Sequence, residues 1–130
     1  MKNIIKVVGA IFINKNNEVF CARRPLDKNF GGLWEFPGGK VEKNESLEEA
    51  VKREIFEELN LKINVNDIFM NITKEYESFI IDLTCLNCEI LDFSTFKLKE
   101  HIEYSWIKKE SLLTLDWVPT DIPIVEKLSI

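Results

Sequence analysis

Seven glutamates crowd the 17 residues from Glu42 to Glu58, against only three bases, Lys43, Lys52 and Arg53. Glu54, Glu57 and Glu58 are spaced i, i+3 and i+4, which on a helix sets them on one face within about 100° of arc. Like charges at that spacing repel, so a helix that carries them needs an offsetting partner. Carboxylate oxygens in such a cluster suit Mg²⁺, Mn²⁺ or Ca²⁺ and not zinc. A hard cation held this way, with open coordination positions, can grip a phosphate chain and orient an attacking water. The competing reading is a solvated acidic face with internal ion pairs, since Arg53 lies i+4 from Glu49 and i−4 from Glu57. Gly38-Gly39 shifts the balance towards a ligand site, because two glycines let the backbone turn tightly and expose carbonyls or amides.

Ser46 to Leu59 reads as the helix that positions these acids, with Ser46 as cap and Glu49 at capping-box spacing. Val51, Ile55 and Leu59 mark its apolar side, and Glu58 borders that side, about 40° round from Glu54. A half-buried carboxylate beside two others is costly unless protonated, paired or bound to a cation. Asn60 can take the left-handed stop conformation. Ile4 to Ile13 reads as a strand, Asn16-Asn17 as a turn and Glu18 to Arg23 as the hairpin partner. Trp34 to Phe36, Ile68 to Tyr76, Phe79 to Leu91 and Ser105 to Ile107 read as further strands. Lys109 to Leu113 reads as a helical turn, and Asp121 to Leu128 as a closing helix. The expected class is α/β, a mixed sheet with helices on both faces.

The chain is 130 residues long, 45% hydrophobic and 30% charged, the balance of one globular domain over residues 1–130. Its net charge is −5, and four of those five excess charges lie between Glu42 and Glu58. The even remainder disfavours a broad nucleic-acid-binding face. The apolar run Val7–Ile13 is too short to span a bilayer, and no cleavable leader is visible, so we expect a cytoplasmic protein without a membrane partner. Cys85 and Cys88 form a lone CxxC on a strand, where that spacing places the thiols on opposite faces, as core residues and not as metal ligands.

Gly39, Glu45, Arg53-Glu54-Ile55-Phe56-Glu57-Glu58 and Asn60-Leu61, at their spacing, resemble the Nudix box, with Asn60 where the family has glycine. Leu33 to Lys40 (LWEFPGGK) and Val118 to Pro123 (VPTDIP) resemble the corresponding segments of the MutT-like branch, so the likeness spans nearly the whole chain. The resemblance implies the Nudix-type α/β/α sandwich, with a mixed sheet between helices. It also implies Mg²⁺-dependent cleavage of a nucleoside triphosphate to monophosphate and pyrophosphate, with Mn²⁺ as a possible substitute, by a monomer or homodimer. By the same resemblance, Glu54, Glu57, Glu58 and the Gly38 carbonyl ligate the metal, and Glu54 is a candidate base. Arg53 orients the acids and pairs with Glu45, and Glu100 is a second-metal ligand or alternative base, with Glu103 as its rival.

Arg23 resembles the family arginine that faces the substrate phosphate or sugar, and Phe36 is a candidate for the base pocket. Asp121 stands where the branch contacts the base. Ionised, it accepts from an exocyclic amine such as that of cytosine; protonated, it also donates, which suits an oxidised purine such as 8-oxo-dGTP. Capping of the last helix is its plainer role. Phe79 occupies a place where related sequences can carry a base-contacting arginine, and it offers stacking instead; Trp34, Trp117 and Phe30 are further stacking candidates. His101, the only histidine, reads as a surface or supporting residue. The expected function is nucleotide-pool sanitising of an oxidised purine triphosphate. CTP or modified dCTP hydrolysis is the alternative, and a non-catalytic nucleotide-binding module is the reading from another class.

Overall fold

The computed structural model describes residues 1–130. Its elements run β1 (Asn3–Phe12), β2 (Glu18–Arg23), β3 (Trp34–Glu35), β4 (Gly38–Lys40), α1 (Leu47–Leu59), β5 (Ile63–Glu75), β6 (Phe79–Ile90), β7 (Glu103–Lys108) and α2 (Ile122–Leu128). Short 3-10 turns at Phe93–Thr95, Lys109–Thr114 and Pro119–Asp121 fill the connections. The strands divide into a mixed sheet of order β4-β1-β6-β5 and an antiparallel sheet of order β3-β2-β7. Within the first, β1 and β6 run parallel, which requires the long crossover through α1.

Period-two alternation builds two cores. Val8, Ala10 and Phe12 of β1, with Phe20 and Ala22 of β2, pack against Ala50, Val51, Ile55 and Leu59 of α1. The intervening Ile11, Val19 and Cys21 join Leu83, Cys85 and Ile124, Val125 and Leu128 of α2. Both strands are therefore apolar on two faces, and the sheets lie between helices, as an α/β/α sandwich does. Cys85 and Cys88 fall in different cores, on opposite faces of β6. Burial pushes Cys21 and Cys88 up to about 12, so these thiols stay protonated at neutral pH.

The hairpin reading of β1 and β2 needs correction. Asn17 does turn the chain, at φ 61°, but only an isolated Ile13–Val19 bridge joins the strands beyond it. The pairing sides of β1 are taken by β4 and β6, so β2 crosses into the second sheet, between β3 and β7. Strand β5 also begins at Ile63, five residues before the expected Ile68, because register shifts on either side of Ile68 let it pair with β6 despite broken alternation.

Helix α1 starts on a complete capping box: the Ser46 hydroxyl accepts from the Glu49 amide, and the Glu49 carboxylate accepts from the Ser46 amide. It stops at Asn60, left-handed at φ 56°. Its backbone carbonyl accepts from the Thr95 hydroxyl at 2.9 Å, and, beyond what glycine would do there, its Nδ2 donates to the Thr95 carbonyl at 2.9 Å. No helix is long and apolar enough to cross a membrane.

Candidate active site

Arg53 organises the acidic face of α1. Its Nε and Nη2 donate to the two carboxylate oxygens of Glu45 at 2.7 and 2.9 Å. Nη1 reaches Glu54 at 2.9 Å and Glu57 at 3.1 Å, and Nη2 also donates to the Lys40 carbonyl. One planar guanidinium thus ties the helix to the segment before it, a geometry that a lysine cannot reproduce. The pairing holds the Glu45 carboxyl at about 2, below the ordinary range, through the Arg53 hydrogen bonds first and the Glu42 amide second. This is the offset to like-charge repulsion that the sequence requires.

Glu58 is different. It is 4% exposed, and its Oε1 is buried with no hydrogen-bond partner. Burial, then the neighbouring Glu54, then Glu100 and Glu35, push its carboxyl well above the carboxylate range. Glu54, Glu57, Glu58 and Glu100 all line one cleft of about 990 Å³, together with Gly38 and Gly39. A Cβ on Gly38 would overlap the Val8 carbonyl oxygen, and one on Gly39 would overlap the Glu54 carboxyl, so only glycines let β4 lie this close to both β1 and α1. The side chains as they stand do not close into a cage of three or more ligands; Arg53 draws Glu54 and Glu57 towards itself. Even so, the donor set is all oxygen, and one buried carboxylate oxygen has no protein partner. These residues fit a hard divalent ion.

The far end of the same cleft is apolar. Alternate residues Ile5, Val7 and Gly9 of β1 and Phe79, Ile81, Leu83 and Cys85 of β6 line it. Phe36 and Asp121 close it, the Phe36 ring packed 5.0 Å from that of Trp117. Asp121 makes no side-chain cap to α2. Instead its Oδ2 accepts from the Phe36 amide at 2.9 Å, and Oδ1 accepts from the Thr120 hydroxyl at 3.2 Å. Burial raises its carboxyl to about 7, against the lowering effect of the Phe36 amide. Near neutrality this group therefore exists in both protonation states, as acceptor and as donor.

The cleft gathers Gly38, Glu54, Glu57, Glu58, Glu100, Phe36, Phe79 and Asp121. Arg23 is not on its wall: Arg23 donates to the Gly32 carbonyl and pairs with Glu103, which occupies that acid on the surface. Its neighbour Arg24 lines the cleft and forks onto Glu35 at 3.1 and 3.3 Å. His101, read as a surface or supporting residue, takes the second place: it is 8% exposed, with Nε2 2.9 Å from Glu35. Arg24, Glu35 and His101 thus form a wall that sequence reading missed; only the alternation of β2 and β3 could have hinted at it. Phe30 lines the cleft, whereas Trp34 and Trp117 do not.

A family model described as the NUDIX domain matches residues 4–128. The chain is 36% identical over 124 residues to the CTP pyrophosphohydrolase of Escherichia coli (strain K12), covering 95% of this chain and 90% of that one. It is 33% identical to the 8-oxo-dGTP diphosphatase of the same organism, covering 98% of each. A solution structure described as the DNA mismatch repair protein MutT, family Nudix hydrolase, from methicillin-resistant Staphylococcus aureus 252 superposes with a TM-score of 0.80. That chain is 40% identical, with 99% of this chain and 98% of that one covered.

Proposed function

The chain belongs to the NUDIX family of hydrolases, and on that footing we propose that it is a Mg²⁺-dependent nucleoside triphosphate diphosphatase that removes oxidised purine triphosphates such as 8-oxo-dGTP. The observation that carries this reading is one cleft with a buried, unpartnered glutamate oxygen at one end and, at the other, a buried aspartate whose carboxyl burial raises. The first end suits a cation-borne phosphate chain, the second a base edge that both donates and accepts.

Glu54, Glu57, Glu58 and Glu100, with the Gly38 carbonyl, are the groups that would hold Mg²⁺, and Mn²⁺ can substitute for it. When bound, the ion neutralises phosphate oxygens and makes an adjacent water more acidic. Arg53 fixes the directions of Glu54 and Glu57. Glu54 is the base that takes a proton from the attacking water, and the bond broken separates nucleoside monophosphate from pyrophosphate. The apolar floor excludes water from the base, while Asp121 reads its edge.

Cytidine triphosphates are the second reading. It is favoured by the 36% identity to a CTP pyrophosphohydrolase and by the ability of ionised Asp121 to accept from an exocyclic amine. Pyrophosphate release from 8-oxo-dGTP, dGTP, CTP, dCTP and 5-methyl-dCTP, at concentrations low enough to compare kcat/KM, separates the two. We expect the oxidised purine to lead by at least tenfold. Uniform, feeble turnover of all five would remove the substrate assignment, and binding without hydrolysis under Mg²⁺ or Mn²⁺ would leave only the non-catalytic module.

A further inference from the structure

The turn between β5 and β6 delivers an aromatic side chain to the cleft that the mechanism above does not use. Tyr76 and Phe79 face each other across the two-residue turn Glu77-Ser78, closed by the Tyr76 amide donating to the Phe79 carbonyl at 2.8 Å. Their rings stack at 5.0 Å and 24°, and both line the cleft beside Asp121. The N-terminus pins this corner: Lys2 Nζ donates to the Tyr76 carbonyl at 2.7 Å and to the Glu75 carboxylate at 2.6 Å. Lys74 Nζ lies 5.9 Å from the Tyr76 ring centroid, a further restraint on the ring. Both hydrogen bonds of Tyr76 run through its backbone. What the side chain offers the cleft is its hydroxyl, a donor and acceptor on a rigid, pre-oriented ring.

Asp121 lines the same cleft. Burial first, and the charge of Asp121 second, push the Tyr76 phenol above its ordinary value. Tyr76 and Asp121 thus share one cleft although they lie 45 residues apart in the chain. Phe79 itself has no hydrogen-bonding group, so any polar reading of a base from this wall falls to its stacking partner.

We propose that Tyr76 is a specificity-determining residue, its hydroxyl hydrogen-bonding the base edge across from Asp121 while Phe79 holds the ring in place. This inference rests on the nucleotide reading of the cleft, but not on hydrolysis. The test measures binding of nucleoside monophosphates (8-oxo-dGMP, dGMP, CMP and dCMP) to the full-length protein by calorimetry, for wild type and Tyr76→Phe, which keeps the stack and removes only the hydroxyl. The expected result is about tenfold weaker binding of the preferred base, the size of one lost hydrogen bond, with less than twofold change for the others. Equal weakening of every base, no change at all, or a wild type that binds none selectively overturns the assignment. A lost base preference in Tyr76→Phe, in a protein that cleaves no triphosphate, would leave the assignment standing and remove the proposed reaction instead. An unchanged melting temperature in Tyr76→Phe excludes a folding cause; if it shifts, retained affinity for the other bases excludes it in the same way, because partial unfolding would weaken them all.

Discussion

The two ends of the cleft each bury a carboxyl, and they do so in opposite ways. At the acidic end, Glu58 keeps one oxygen without a partner and is surrounded by Glu54, Glu100 and Glu35. At the apolar end, both oxygens of Asp121 are satisfied by protein groups, the Phe36 amide and the Thr120 hydroxyl. Desolvation raises both groups, but only the first leaves an oxygen without a partner. Burial alone therefore does not mark a ligand site; the unsatisfied oxygen does. In the proposed function the same contrast separates their tasks: an end that holds charge, and an end that recognises shape and hydrogen-bonding pattern.

A change at the acidic end should have the largest effect. Glu58→Gln is expected to lower kcat/KM by about 10³-fold, the scale of losing a preorganised charge at a reacting centre, with a melting temperature equal to or above wild type. Activity measured beside thermal denaturation checks this; if the variant loses stability in step with activity, Glu58 is a structural acid and the contrast between the two ends collapses. Arg53→Lys keeps the charge but cannot fork onto Glu45 while reaching Glu54 and Glu57. A loss of about 10–100-fold in activity is expected, read from a Mg²⁺ titration in which the half-saturating concentration rises.

Asp121 sharpens the comparison from the other side. Its folded carboxyl sits near 7 and its ordinary value near 3.8, so the native state binds a proton that the unfolded state has released between those pH values. Stability then falls as pH rises through that window and levels off above it, by up to about 4 kcal/mol in all. Asp121→Asn should flatten that slope in denaturant titrations from pH 4 to 8, and should change base preference by about tenfold with little change in the Mg²⁺ requirement. Glu58, whose carboxyl burial also raises, keeps a slope of the same sign, so the variant's slope should be shallower and not zero; a slope equal to that of wild type would place the titrating group elsewhere.

The smallest effect is expected at Asn60, outside the cleft. Asn60→Gly relieves a left-handed side chain but gives up its Nδ2 bond to Thr95, two contributions of about 1 kcal/mol with opposite sign. Chemical denaturation should show a change under about 1 kcal/mol with activity intact. Asn60→Ala, which gives up the bond and keeps the strain, should cost about 1–2 kcal/mol. Equal stability of the two variants would show that the left-handed strain at this position contributes nothing.

The acidic end was legible because it is local. Glu54, Glu57 and Glu58 share a face by helical period, Ser46 and Glu49 start that helix, and Asn60 stops it, all within one stretch of chain. The paired alternation of β1 and β2 likewise followed from their residues, though not the sheet each would join. The second site segment was harder. Asp121 was visible as a candidate, but its bond to the Phe36 amide, 85 residues away, was not. Arg23 and Arg24 show the limit most plainly. Arg23 is the last residue of β2, paired with Glu103 and Trp34, and Arg24 lies just beyond the strand's end, so the place where the pairing stops decides which arginine lines the cleft.

The sequence by itself thus determined the helix, its caps, the face that carries the acids and the family to which they belong, because each depends on spacings of a few residues. Only the tertiary structure decided that Glu58 is buried with an open oxygen, that Asp121 is held by Phe36 instead of capping α2, and that Arg24, His101 and Tyr76 share their cleft. Those outcomes depend on strand order and register between segments far apart in the chain, which no local periodicity encodes.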